Sequence, residues 1–163
     1  MIDNVTIGFS RPKGRFFPIG SWLIRLHQRT AYSHTYIRFY SETLNRVLVY
    51  ESVGTGGVRF IGFNLWSEKA KEVASFTMKV KRCNSTSMLQ DFVDEAGMSY
   101  GFMQNVGILL GNIFGWKHNP WRKGKNCSEI VAAFLQREGF IINKELDLMT
   151  PKDIFNVLQG QKK

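Results

Sequence analysis

Asn126-Cys127-Ser128-Glu129-Ile130-Val131-Ala132-Ala133-Phe134-Leu135 opens a helix and puts a cysteine in its first turn. Asn126 is a good N-cap, because its side-chain oxygen can accept from the unpaired N–H groups of that turn. Glu129 stands at the N3 position of a capping box. Unpaired N–H groups and the helix macrodipole stabilise negative charge here, so the Cys127 thiol is expected to ionise below its usual ~8.5. Ile130, Val131, Phe134 and Leu135 follow Cys127 at +3, +4, +7 and +8. That apolar stripe turns the sulfur inward, towards whatever packs on the helix.

Upstream of this helix the chain changes character. Val5 to Phe9 reads as a strand, and Arg11-Pro12-Lys13-Gly14 as a turn. Pro18 to Gln28 is helix-like, with Ile19, Trp22, Leu23 and Leu26 at helical spacing. His34 to Tyr40 and Arg46 to Ser52 are rich in β-branched and aromatic residues and read as a hairpin. Gly54-Thr55-Gly56-Gly57 precedes a short strand, Val58 to Ile61, and Glu72 to Lys81 alternates as a further strand. Ser87 and Gln90 can form a capping box for a helix carrying Met88, Leu89, Phe92, Val93 and Ala96 on one face. Val106 to Trp116 is apolar, with Gly107, Gly111 and Gly115 spaced to let another helix approach. Thr150-Pro151-Lys152-Asp153 starts a last helix with an N-cap and Pro at N1. Strands first and helices later make an α+β fold, an antiparallel sheet packed against helices.

A chain of 163 residues supports one domain with a real core, and 44% hydrophobic content makes it a globular one. A net charge of +9 suits an anionic surface or partner, such as a nucleic acid, a lipid head group or a cell-wall polymer, without choosing among them. Cys83 and Cys127 make no disulfide framework. Met1-Ile2-Asp3-Asn4 has no basic, apolar leader, and no stretch reaches the ~20 apolar residues of a membrane span, so a cytoplasmic location is expected. The histidines and cysteines lack paired-ligand spacing, so no metal and no cofactor is implied.

A cysteine nucleophile needs a base and a third group that orients the base. His34, at the head of a predicted strand, is the best base among three histidines. If Ser41 to Leu44 form a four-residue loop, Tyr40 pairs with Asn45 and Glu51 falls directly opposite His34. Directly opposed residues have Cβ atoms roughly 5 Å apart, close enough for a carboxylate to hold one imidazole nitrogen. A slip of one residue would move Glu51 to the other face. Each residue also has a plain structural role open to it: Cys127 as a packing cysteine, His34 as a hydrogen-bonded strand residue, Glu51 as a solvated edge charge. Only their conjunction points to catalysis.

Ser33-His34-Thr35-Tyr36-Ile37, Val49-Tyr50-Glu51-Ser52 with Gly57-Val58, and Asn126-Cys127-Ser128-Glu129-Ile130-Val131 together resemble the circularly permuted papain-like hydrolases. These are relatives of the NlpC-type cell-wall peptidases and include the YiiX-like and lecithin:retinol acyltransferase-like branches. Gly97-Met98-Ser99-Tyr100-Gly101-Phe102 and Thr150-Pro151-Lys152-Asp153 also look like elements of that family, and the match spans nearly the whole chain. The resemblance implies a papain-like fold with Cys127 as nucleophile, His34 as base and Glu51 as the orienting residue. It implies hydrolysis or transfer of an acyl group at an amide, ester or thioester bond of a peptide, acyl or lipid substrate. The chain departs from the family in showing no export signal and no second histidine near the first.

The Cys127 N–H is the expected first oxyanion donor, with Tyr32 or Tyr36 as further candidates. Trp116 and Trp121, in the basic, aromatic segment 116–125, are candidates for a lid or substrate clamp. The rival readings are a basic nucleic-acid-binding module and a catalytically inactive binding protein on the same fold.

Overall fold

In the computed structural model, residues 2, 4–13, 19–80, 85–115, 118–121 and 123–160 are described. Trp116, Cys83, Gly14 and Pro18 lie outside the described residues. The elements run β1 (Asn4–Pro12), α1 (Ile19–Gln28), β2 (His34–Ser41), β3 (Arg46–Val53), β4 (Gly57–Gly62), α2 (Phe63–Lys69), β5 (Ala70–Lys79), α3 (Ser85–Glu95), α4 (Phe102–Phe114), α5 (Cys127–Arg137) and α6 (Pro151–Gly160). A short 3-10 turn at Leu146–Leu148 precedes α6. The fold is α+β: five antiparallel strands in the order β4-β3-β2-β1-β5, with the later helices packed on one face.

Period-two alternation gives the sheet two apolar faces. Ile7 and Phe9 of β1, Ile37 and Phe39 of β2 and Tyr50 of β3 point to the side covered by α3, α5 and α6. There they meet Phe92, Ile130, Val131, Phe134, Ile154 and Leu158 in the main core. The opposite face is smaller. Tyr36, Val49 and Trp66 form its buried centre, and α2 covers it. At Gly8, directly across from Tyr36, a Cβ would come within 2.2 Å of the tyrosine ring. The missing side chain lets that ring lie across β1, with its hydroxyl donating to Glu72 on β5.

Three local expectations change in the folded chain. The helix expected to begin at Ser87 begins at Ser85, so Ser87 sits inside its first turn. β1 runs on through Pro12, because Ser10, Arg11 and Pro12 continue to pair with β5 after a register shift. The space at Gly107 is filled by a side chain and not by a helix: Asn119 crosses it, donating to the Gln104 carbonyl at 2.8 Å. The last helix starts as expected, with a reciprocal cap. The Asp153 N–H donates to Thr150 Oγ1 at 3.1 Å, and the Thr150 N–H donates to Asp153 Oδ2 at 2.9 Å.

Candidate active site

The Cys127 helix is capped as its sequence predicts. Asn126 Oδ1 accepts from the N–H groups of Ser128 at 2.8 Å and Glu129 at 2.9 Å. Glu129 does something else: its carboxylate accepts from Gln104 at 2.7 Å and pairs with Lys125 at 3.3 Å. The strand-like segment before the cap is pinned on both sides. Ser52 Oγ donates to the Lys125 carbonyl at 2.6 Å, and the Lys125 N–H donates to the Ser99 carbonyl at 3.0 Å. Gly124, at φ 84, makes room for Ser99 and Tyr100, since a Cβ there would sit 2.5 Å from the Ser99 oxygen. The start of α5 is thereby held against the end of β3.

The β2–β3 register differs from the expected one by two residues. The loop is Glu42 to Asn45, Ser41 pairs with Arg46, and Ile37 pairs with Tyr50. Asn45 takes the left-handed conformation, φ 47, which asparagine tolerates better than the leucine before it. Extending this pairing sets Glu51 diagonal to His34 instead of opposite it. A shift of two preserves the face, and diagonal neighbours remain within reach of long side chains. His34 Nε2 and Glu51 Oε2 are 3.0 Å apart.

Glu51 is almost fully buried and gripped from three sides. Arg59, directly across on β4, donates through Nε at 3.1 Å and through its terminal nitrogen at 2.8 Å to Oε1. The Trp66 indole N–H donates to Oε2 at 3.0 Å. Burial alone would raise the carboxyl pKa. The bonds and positive charges of His34 and Arg59 overcome it and lower the value from 4.5 to about 2. Glu51 is therefore an anion at neutral pH.

With Nε2 turned to Glu51, the His34 ring also lies near enough to the Cys127 sulfur for the charge on each to shift the other's titration. Burial opposes charge on both partners. The thiolate, its bond to the ring and the Glu51 carboxylate outweigh burial for His34 and raise its pKa from 6.5 to about 10. For Cys127, the imidazolium charge and bond, the Thr35 backbone N–H and the Ser128 hydroxyl together bring the thiol below its ordinary value. Each group thus favours the charged form of the other. Tyr36 stacks behind the imidazole, with ring centroids 6.3 Å apart and planes inclined by 20°.

The other expected site residues fall elsewhere. Tyr32 is a core side chain, packed 4.9 Å from Phe9 and 5.5 Å from Phe155, and burial raises its hydroxyl to about 12. Tyr36 donates its hydroxyl to Glu72, so it supports His34 from behind and offers no hydrogen bond to a substrate oxygen. Trp121 is half-exposed, and its backbone N–H donates to Asn119 Oδ1 at 3.0 Å. It is not part of the wall around Cys127.

Tyr100 is the site residue that no role had been read for. Burial and the Cys127 charge beside it push its phenol well above the usual value, and Asn105 Nδ2 donates to its oxygen at 2.5 Å. A phenol held protonated beside a thiolate is a hydrogen-bond donor for negative charge that develops there. Arg59 was legible in principle, because a three-residue turn at Gly54–Gly56 sets Val53 against Gly57 and Glu51 against Arg59. Trp66 carried no such signal, since α2 reaches Glu51 only by folding back under the sheet.

Cys127 also lines a cleft of about 170 Å³ between α1 and α4. Its walls are apolar: Leu23 and Ile24 from α1, Phe102, Val106 and Leu109 from α4. Among the described residues no cluster of three His, Cys, Asp or Glu could hold a metal ion. No described helix is long and apolar enough to cross a membrane. No family model matches the chain, and no curated protein matches it.

Proposed function

We propose that the protein is a cysteine-dependent hydrolase or acyltransferase of the circularly permuted papain-like kind. The observation that carries this reading is an imidazole held 3.0 Å from a buried carboxylate, with a cysteine at a helix N-terminus near enough for its charge to act on the ring. The electrostatics of that arrangement favour a reactive thiolate, where a packing cysteine would be neutral.

In the proposed cycle the Cys127 thiolate attacks a carbonyl carbon and forms a C–S bond. The electron pair of the C=O moves to oxygen, where the Cys127 N–H at the first helical position and the Tyr100 hydroxyl stabilise it. The tetrahedral species collapses, the bond from carbon to nitrogen, oxygen or sulfur of the leaving group breaks, and His34 gives that atom its proton. This leaves a thioester on Cys127 and a neutral imidazole. Water or an acceptor nucleophile then loses a proton to His34 as it attacks, and breaking of the C–S bond restores the ion pair. Glu51, clamped by Arg59 and Trp66, fixes the ring and sustains its positive charge.

The test is mass spectrometry of the protein after exposure to a panel of acyl amides, esters and thioesters. An acyl adduct on Cys127 in wild type, lost in Cys127→Ala, supports the reading. Alkylation of Cys127 at neutral pH no faster than that of an unstructured peptide cysteine would overturn it.

A further inference from the structure

The apolar stripe of α1 faces outward. Ile19 is 76% exposed, Trp22 50%, Leu23 45% and Leu26 60%, all on one helix face by their spacing. The side of α1 that holds it to the protein is mixed: Ile24 is partly buried, Ser21 Oγ meets Ser33 Oγ at 2.6 Å, and Gln28 Oε1 accepts from the Lys152 N–H at 3.2 Å. Across the cleft, the first turn of α4 also presents apolar side chains, Phe102 at 69% and Met103 at 47% exposure. The cleft between the two helices runs down to Cys127.

The charge of the chain is distributed in the same way. Residues 4–41 and 96–128, which carry α1 and α4, contain ten Lys and Arg and no Asp or Glu. The other twelve cations are outnumbered by the chain's thirteen acids, so the whole positive excess belongs to these two segments. Arg38 and Lys125 are neutralised by Glu72 and by Glu95 and Glu129. Arg25 and Arg29, on and just after α1, flank the exposed stripe in sequence.

An exposed apolar stripe with Arg25 and Arg29 on and just after its helix, on a chain of net charge +9, matches a layer of anionic headgroups over hydrocarbon. Ten residues of α1 span only ~15 Å, half the bilayer core, so the helix would lie in the interface and not cross it. A nucleic acid would call for stacking platforms, yet the stripe is mostly aliphatic. A second copy would bring like charges together.

We propose that α1 and the start of α4 seat the protein on an anionic lipid surface, with the cleft between them open to a lipid acyl chain. Seating needs no chemistry; only delivery of the acyl carbonyl to Cys127 rests on the thiol reading above. An apolar cavity of about this size accommodates a benzene-sized hydrocarbon, so it holds one segment of a chain.

The experiment is flotation of the full chain with vesicles of phosphatidylcholine, with and without phosphatidylglycerol, using wild type, Cys127→Ala and the double variant Trp22→Gln/Leu26→Gln. Both substituted α1 side chains are exposed, so circular dichroism should be unchanged. Expected are binding to the anionic vesicles that weakens with salt, and a loss of at least roughly tenfold in the double variant. Cys127→Ala should bind like wild type. No flotation at low salt, or equal flotation of the double variant, overturns the proposal. So does a wild-type dimer that the double variant dissolves, or salt-sensitive binding of an RNA oligonucleotide that the double variant loses. Flotation without any acyl adduct on Cys127 leaves the surface standing and removes the thiol reading; an adduct without flotation does the reverse.

Discussion

Glu51 holds His34 diagonally across the β2–β3 hairpin, with Oε2 and Nε2 3.0 Å apart, while its direct cross-strand partner is Arg59 on β4. One carboxylate therefore serves two cations through two different oxygens. The imidazole takes one, the guanidinium the other, and the Trp66 N–H shares the first. Such a clamp fixes the ring without leaving any buried acceptor unsatisfied.

The first prediction concerns the pH range of the thiolate. Cys127 titrates below its ordinary value and His34 at about 10, so the ion pair persists between those limits. The alkylation rate of Cys127 should stay flat through neutral pH. In Glu51→Gln the carboxylate that favours the imidazolium is gone, so the His34 pKa falls and the upper limit of the plateau moves to lower pH. Alkylation rates measured against pH check both.

Glu51→Gln should also lower turnover by roughly a hundredfold or more, by analogy with other catalytic triads whose orienting carboxylate is amidated. Cys127→Ala removes turnover altogether. Retention of full activity in Glu51→Gln would show that the carboxylate is structural.

Stability should respond to acid through the same residue. The folded pKa of Glu51 is depressed from 4.5 to about 2, so its stabilisation is complete above 4.5 and is lost as pH falls towards 2. The shift corresponds to roughly 3 kcal/mol at neutral pH. His34 acts in the opposite sense, because its pKa is raised: its contribution is complete below 6.5 and is lost as pH rises through about 10. Urea unfolding at several pH values should show a steep acid limb in wild type and a shallower one in Glu51→Gln.

Tyr100→Phe removes the hydroxyl proposed for the oxyanion and leaves the ring. Turnover should fall by about 10²-fold, with the thermal midpoint almost unchanged. The same substitution should leave Cys127 alkylation close to wild type, since alkylation develops no oxyanion.

Gly8→Ala tests the packing behind the imidazole. The added methyl meets the fully buried Tyr36 ring, so the protein should lose about 1–3 kcal/mol. Because Tyr36 stacks on His34, displacement of the ring should slow turnover as well. A smaller residue at position 36 should recover part of the stability but not the turnover.

Much of the site was legible in one dimension wherever the causes are local. The Asn126 cap depends on a side chain and two N–H groups within three residues, and it forms as read. The pairing of His34 with Glu51 was anticipated from the wrong loop, Ser41–Leu44 in place of Glu42–Asn45, and survived because strand faces repeat every second residue. Glu129 went otherwise, since Gln104 and Lys125 compete for its carboxylate, and neither competitor is visible from the capping pattern. Tyr32 and Tyr36 stand close to His34 in sequence, but Tyr32 precedes β2 and packs into the main core, while Tyr36, on the strand face of His34, packs into the smaller one.

By itself the sequence determined the α+β order of elements, the capped helix start that carries Cys127 and the strand that bears His34, because capping, periodicity and turn chemistry act over a few residues. Only the tertiary structure decided what surrounds them. Arg59 and Trp66 reach Glu51, Tyr100 comes within range of the Cys127 charge, and the apolar stripe of α1 is left facing outward. These are contacts between segments far apart in the chain, set by how whole faces pack, and hydrophobic burial is non-directional. A stripe of Ile19, Trp22, Leu23 and Leu26 reads the same whether it will meet a core or a lipid surface; the fold leaves it uncovered.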